Sequence, residues 1–316
     1  MKIVFMGTPD FAVPSLDILV KNGYDIAAVI TATDKMGGRG GKQVLQSAVK
    51  KYAVDNNLPV LQPEKLKNPE FIELLRGLNA DLFIVVAFRM LPEIVWTMPP
   101  LGTFNLHGSL LPKYRGAAPL NWAVINGEKE TGVTTFFLKH EIDTGDIIFR
   151  ESLTIGDDET VGEVHDRMMI LGANTVFKTV QAIENQQITP LPQLAIAATH
   201  APKIFQETCE IDFSQTAADV HNFVRGLSPF PTAWTTLEGL KLKIFKTSKE
   251  IGFDNIPPQY RSDLGGILTG KFVSDGKSYL KITTADGFIH ALDVQLEGRK
   301  RLSVRDFLNG YRLQQS

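Results

Sequence analysis

The chain has one cysteine, Cys209, which excludes an internal disulfide and a cysteine-based zinc site. No apolar run approaches the roughly 18 residues that mark a membrane span. The start, Met1-Lys2-Ile3-Val4-Phe5, enters a strand almost at once and has no secretory-leader layout, so a cytoplasmic location is expected. Neither sign of charge dominates: 33 Lys and Arg stand against 35 Asp and Glu, a net charge of −2. Any nucleic-acid contact must therefore be local rather than a bulk effect. The six histidines include no pair at metal-ligand spacing, so no metal is expected. Repeats and low-complexity segments are absent. What remains is a 316-residue chain, 43% hydrophobic and 22% charged, an ordinary globular composition with length for about two domains.

The first two thirds alternate between strand and helix patterns. Ile3–Met6, Ile26–Ile30, Leu82–Val86 and Thr103–Leu106 are continuous apolar strands. Between them, Leu16, Ile18, Leu19 and Val20 form one helix face, residues 44–56 read as helical before Pro59-Val60-Leu61, and Phe71, Ile72, Leu74 and Leu75 mark a further helix. Buried strands separated by helices predict an α/β fold with a mostly parallel sheet, whose site lies beyond the carboxyl ends of strands. Thr160 and Glu163 have the spacing of a capping box at the head of a long helix running to Ile183. Residues 188–203 carry Pro190, Pro192 and Pro202 without a period and read as a linker. Beyond it come a helix over 215–226 and short strands over 233–237, 241–246, 265–272, 278–284 and 288–296. With Asp275-Gly276 and Asp286-Gly287 as turns, these predict a small β-barrel.

Gly7-Thr8-Pro9-Asp10 follows a strand but lacks G-x-G-x-x-G, which disfavours a dinucleotide and reads as a tight structural turn. The informative stretch is Asn105-Leu106-His107-Gly108-Ser109-Leu110-Leu111-Pro112. Alternation along a strand puts Asn105 and His107 on one face. An amide donor beside an imidazole suits an oxygen that becomes negative as a nucleophile attacks a carbonyl. On spacing alone, a histidine at a strand end is usually a satisfied structural or surface group. Asp143-Thr144-Gly145-Asp146 interrupts two further strands, Thr134–Leu138 and Ile147–Phe149. It reads either as a plain turn or as the source of a carboxylate that orients the imidazole.

Asn105-x-His107-x-Ser109-Leu110-Leu111-Pro112, then Arg115-Gly116-Ala117-Ala118-Pro119, then Asp143-Thr144-Gly145-Asp146, resemble the formyltransferase family that uses 10-formyltetrahydrofolate. Gly7-Thr8-Pro9-Asp10-Phe11, Leu227-Ser228-Pro229-Phe230-Pro231, and Gly298-x-x-Arg301 leading to Asp306-Phe307-Leu308-Asn309-Gly310 resemble those members whose acceptor is methionine on initiator tRNA. The likeness spans essentially the whole chain.

This resemblance implies a Rossmann-like catalytic domain over 1–189, a linker over 190–205 and an OB-like, tRNA-binding β-barrel over 206–316. It implies a catalytic trio of Asn105, His107 and Asp143. Folate contacts fall on Ser109, Leu110, Leu111 and Pro112, and more weakly on Arg89, Met90 and Leu91. Implied tRNA contacts are Arg39 and Lys42, in the glycine-rich 34–42 loop, and Arg299, Lys300 and Arg301 in the tail. The expected partners are a 10-formyltetrahydrofolate co-substrate and initiator methionyl-tRNA, with the protein acting as a monomer. Two segments depart from the family: Gln46-Ser47-Ala48-Val49-Lys50 stands for a Pro-Ser-Pro-Val-Lys type, and Ala87-Phe88-Arg89-Met90-Leu91-Pro92 for a longer Ala-Tyr-Gly type. The competing readings are a formyltransferase of a small amine, such as a glycinamide ribonucleotide or an amino sugar, and a non-catalytic RNA-binding protein.

Overall fold

The computed structural model describes residues 1–37, 43–252, 258–261 and 268–313. Arg39 and Lys42, and part of the strand expected over 265–272, lie outside the described residues. By contacts the chain divides into two compact units. One comprises Met1–Gly116, Thr131–Leu153 and His165–His200, and the other Ala117–Glu130, Thr154–Val164 and the described residues from Ala201 onward.

The elements run in order as β1 (Lys2–Gly7), α1 (Val13–Lys21), β2 (Asp25–Ile30), β3 (Lys35–Gly37), β4 (Gln43–Leu45), α2 (Ala48–Asp55) and β5 (Val60–Leu61). They continue as α3 (Pro69–Gly77), β6 (Leu82–Val86), α4 (Glu93–Trp96), β7 (Thr103–His107), β8 (Arg115–Gly116), α5 (Pro119–Ile125), β9 (Glu130–Phe137), β10 (Ile147–Thr154) and α6 (Val161–Glu184). The main sheet has the order β10-β9-β7-β6-β1-β2-β5. Neighbours from β5 to β7 pair in parallel, and β9 runs antiparallel to β7. All five residues of β6 are buried, because helices cover both faces of a parallel sheet and no polar alternation is needed. Burying each such Val, Leu, Ile or Phe side chain contributes about 1.5–3 kcal/mol. One face packs Val4, Met6, Ile30, Phe83 and Val85 against Phe71, Ile72 and Leu75 of α3.

Local signals explain where the helices begin and end. Asn22-Gly23 stops α1, with Gly23 at φ +77°, in the left-handed region that favours glycine. The capping box forms as expected: the Glu163 carboxylate accepts from the Thr160 N–H, and the Glu163 N–H donates to the Thr160 hydroxyl. The helix expected over 44–56 is a correction. Residues 43–45 form β4, paired antiparallel with β3, and the helix starts only after Ser47. Ser47 Oγ accepts the Lys50 N–H, capping the true first turn.

The remaining elements are β11 (His200–Ala201), α7 (Ala217–Gly226), β12 (Ala233–Leu237), β13 (Leu240–Ile251), β14 (Phe272–Ser274), β15 (Leu280–Thr283), β16 (Gly287–Leu296), β17 (Leu302–Ser303) and α8 (Val304–Gly310). The antiparallel sheet β12-β13-β16-β15-β14, with β17 added on β16, curls as a half-barrel. Irregular register near Ile244–Thr247 marks where β13 departs from regular pairing with β16. Val220 and Val224 of α7, Leu242, Ile289, Val294 and Phe307 share its core. Two buried polar side chains of α7 face the 156–160 turn. His221 contacts the Thr247 hydroxyl at 2.9 Å and the Asp158 carboxylate at 3.2 Å. Arg225 donates to the carbonyls of Gly156 and Glu159 at 3.1 and 3.0 Å.

Candidate active site

β7 delivers Asn105 and His107 at its carboxyl end, beside β6 and β9. Asn105 is half-buried, and among the described residues its side-chain amide has no hydrogen-bond partner. His107 is buried, 6% exposed. Its Nε2 lies 2.9 Å from the Tyr114 carbonyl. A carbonyl only accepts, so Nε2 carries a proton and Nδ1 is the nitrogen left for chemistry. That Nδ1 faces the Asp143 carboxylate, with Oδ2 at 3.8 Å. The separation is too long for a direct hydrogen bond and short enough for strong charge interaction.

The backbone around these groups is unusual. Tyr114 and Asp143 adopt φ of +59° and +56°, a region that side chains other than glycine rarely enter. Both are held there. The Tyr114 N–H donates to the Thr199 hydroxyl, and the Gly116 N–H donates to Asp143 Oδ2 at 2.9 Å. Gly145 is required by close approach: a Cβ at that position would stand 1.6 Å from the Phe137 carbonyl oxygen. Hydrogen bonds from Gln62 and Lys50 hold the Asp34 carboxyl below its usual range, and burial pushes the Cys209 thiol up.

The other expected residues are placed as follows. Ser109 turns its hydroxyl onto the Lys113 carbonyl at 2.6 Å, while Thr134 braces the same turn through the Ser109 carbonyl and the Leu111 N–H. Leu111 is fully buried against Phe136 and Ile147. Leu110 and Pro112 are half-buried. Arg89 donates to the carbonyls of Pro63 and Glu64, Met90 is exposed, and Leu91 packs into the core. Arg299 lies over the Tyr311 ring, and Lys300 is exposed. Arg301 pairs with Asp293 at 2.6 Å and stacks on Phe245. Among the described residues, no group of three or more His, Cys, Asp or Glu is placed to hold a metal ion.

Sequence reasoning missed the backbone of Tyr114 and Gly116 and the side chain of Gln193. Tyr114 and Gly116 lie in or beside a motif that was legible. Gln193 sits in the aperiodic Pro-rich segment, where nothing in the pattern marks it.

Residues 1–180 match the family model for formyl transferase, and residues 203–312 match that for the formyl transferase C-terminal domain. The chain is 51% identical to the methionyl-tRNA formyltransferase of Bacteroides fragilis, over 99% of this chain and 96% of the relative. It is 52% identical, with the same coverage, to that of Parabacteroides distasonis. Among solved structures it resembles WlaRD, a sugar 3N-formyl transferase crystallised with dTDP and 5-N-formyl-THF. The TM-score is 0.68 at 23% identity, covering 95% of this chain and 99% of that one, a likeness of fold.

Proposed function

This chain belongs to the formyl transferase family, and from that premise we propose how its residues perform the transfer. The protein is a one-carbon group transferase that formylates the amino group of methionine esterified to initiator tRNA, as its relatives at about half identity do over the full chain. Its formyl donor is a formyl-tetrahydrofolate. The donor form we assign is 10-formyltetrahydrofolate, with the formyl group leaving N10. Residues 1–189 supply the chemistry and 206–316 the tRNA contacts, in a monomer working in the cytoplasm.

The amine of methionine attacks the formyl carbon, and the carbonyl oxygen becomes an oxyanion. Asn105, whose amide has no partner among the described residues, donates to that oxygen. With Nε2 committed to Tyr114, neutral His107 has a bare Nδ1 that accepts the amine proton. Once protonated, Nδ1–H faces the Asp143 carboxylate, which stabilises the positive charge. The proton then passes to N10 as the C–N10 bond breaks, leaving tetrahydrofolate and the new formamide. Ser109, Leu110, Leu111 and Pro112 shape the donor's seat chiefly through their backbone turn, because Ser109 and Leu111 direct their side chains inward. Arg89, Met90 and Leu91 border it. In the tail, Arg299 and Lys300 are the cations a phosphate meets first, with Arg301 partly neutralised by Asp293. Arg39 and Lys42 complete the tRNA contacts.

The observation that carries this reading is the buried His107 imidazole, whose Nδ1 faces the Asp143 carboxylate, two residues along a strand from Asn105, whose amide has no partner among the described residues. Transfer of labelled formyl groups tests it. Label is expected on methionyl-tRNA and none on a glycinamide ribonucleotide or an amino sugar. Label on a small amine alone overturns it, as does failure to consume the donor with charged tRNA present.

A further inference from the structure

We propose that Gln193 is a positioning residue for formyl transfer, clamping the backbone that carries Asp143. Its Nε2 lies 2.9 Å from the Asp143 carbonyl and 2.8 Å from the Gly145 carbonyl. Its Oε1 lies 3.2 Å from Arg115 Nε and 2.7 Å from Arg115 Nη2. The amide's orientation follows from its partners. A guanidinium only donates, so the oxygen must face Arg115 and both N–H groups are left for the two carbonyls.

The arrangement closes a circuit. The Arg115 side chain orients Gln193, and Gln193 grips the main chain at Asp143 and Gly145. The next residue, Gly116, sends its N–H to Asp143 Oδ2 at 2.9 Å. Asp143 is thus held at both its backbone and its carboxylate. It needs holding: at φ +56° a residue other than glycine stays only where its surroundings oblige it. The 3.8 Å from Asp143 to His107 is spanned by no hydrogen bond of their own, so the spacing is set by what grips Asp143 from outside. Gln193 touches no reacting atom. Its effect runs through the carboxylate, and the inference therefore rests on the proposed role of Asp143.

The test is a double-mutant cycle in the full-length protein, measured as methionyl-tRNA formylation at saturating donor. Gln193→Met keeps the side-chain volume and removes both donors. A displacement of about 1 Å at a catalytic group costs about 100-fold, so kcat is expected to fall about 10- to 100-fold. The KM values for donor and tRNA should stay within about twofold, because the lost interaction is not a binding one. On an Asp143→Ala background the same substitution should cost less than about threefold, since nothing is left to position. Gln193→Glu, which keeps the Arg115 contact and turns a carboxylate oxygen toward two carbonyls, should lose at least as much as Gln193→Met.

Full kcat in Gln193→Met and Gln193→Glu, with Asp143→Ala crippled, overturns this inference and leaves the active-site reading standing. An equal loss on both backgrounds also overturns it, because a merely structural side chain behaves that way. Wild-type turnover in Asp143→Ala removes the active-site reading itself, and this inference with it.

Discussion

Replacing Gly145 by alanine separates the geometry of the Asp143 turn from its chemistry. The added methyl would stand 1.6 Å from the Phe137 carbonyl oxygen and 2.8 Å from its carbonyl carbon. Carbon and carbonyl oxygen rest no closer than about 3.3 Å, so the turn or the end of β9 must yield by roughly 1.7 Å. No rotamer relieves this, because a Cβ has no torsion of its own and the obstacle is main chain. The shift falls on the turn whose carbonyls accept from Gln193, two residues from the carboxylate that faces His107. Movement on that scale predicts a fall in kcat of about 100-fold or more. Gly77→Ala is the control. That site lies near the end of α3, has open space around the new methyl, and should gain up to about 1 kcal/mol of helix stability with unchanged turnover. Steady-state formylation of methionyl-tRNA, with thermal unfolding of each variant, reads both. Wild-type kcat in Gly145→Ala would refute the claim that the turn's position matters to catalysis.

Three further outcomes are expected. His107→Ala should lower kcat by about 10²–10⁴-fold, as loss of a general base with its charge partner does, and a change confined to KM would remove its assigned role. Arg299→Ala with Lys300→Ala should weaken tRNA binding and reduce the salt slope of its affinity by about two, leaving donor affinity unchanged; an identical slope would exclude both from phosphate contact. Burial foremost, then Lys249, holds the His221 imidazole below its usual range, against the opposing pull of the Asp157 carbonyl and Asp158. The unfolded chain takes up that proton near pH 6.5 and the folded chain resists it, so the stability this site supplies is full above about pH 6.5 and is lost as pH falls below. His221→Gln should therefore flatten the fall in unfolding temperature between about pH 6.5 and 5, and an unchanged slope would contradict the assignment.

What was legible in the chain followed from how each residue meets water. β6 announces itself because a strand covered on both faces carries no polar residue, and α6 because Thr160 and Glu163 cap each other across one turn. Val44 and Leu45 misled because they continue the helical period by accident. The helix cannot start until Ser47 offers its hydroxyl, and the two apolar residues stand exposed on a hairpin. At the site, alternation placed Asn105 and His107 on one face of β7. The approach of Asp143 to His107 is a tertiary fact that spacing does not encode, and only the resemblance points to it. Gln193 was invisible for a related reason. Its role depends on carbonyls 48 and 50 residues away, and a lone glutamine among prolines has no period to betray it.

In the proposed mechanism Asn105 and His107, with Asp143 behind, act together on one formyl carbon. The decisive measurement is single-turnover formylation of methionyl-tRNA by Asn105→Ala, His107→Ala and the double variant. If the groups work as a unit, the double variant is no slower than the worse single variant by more than about threefold. Losses that multiply in full, or single variants that turn over at the wild-type rate, would contradict it.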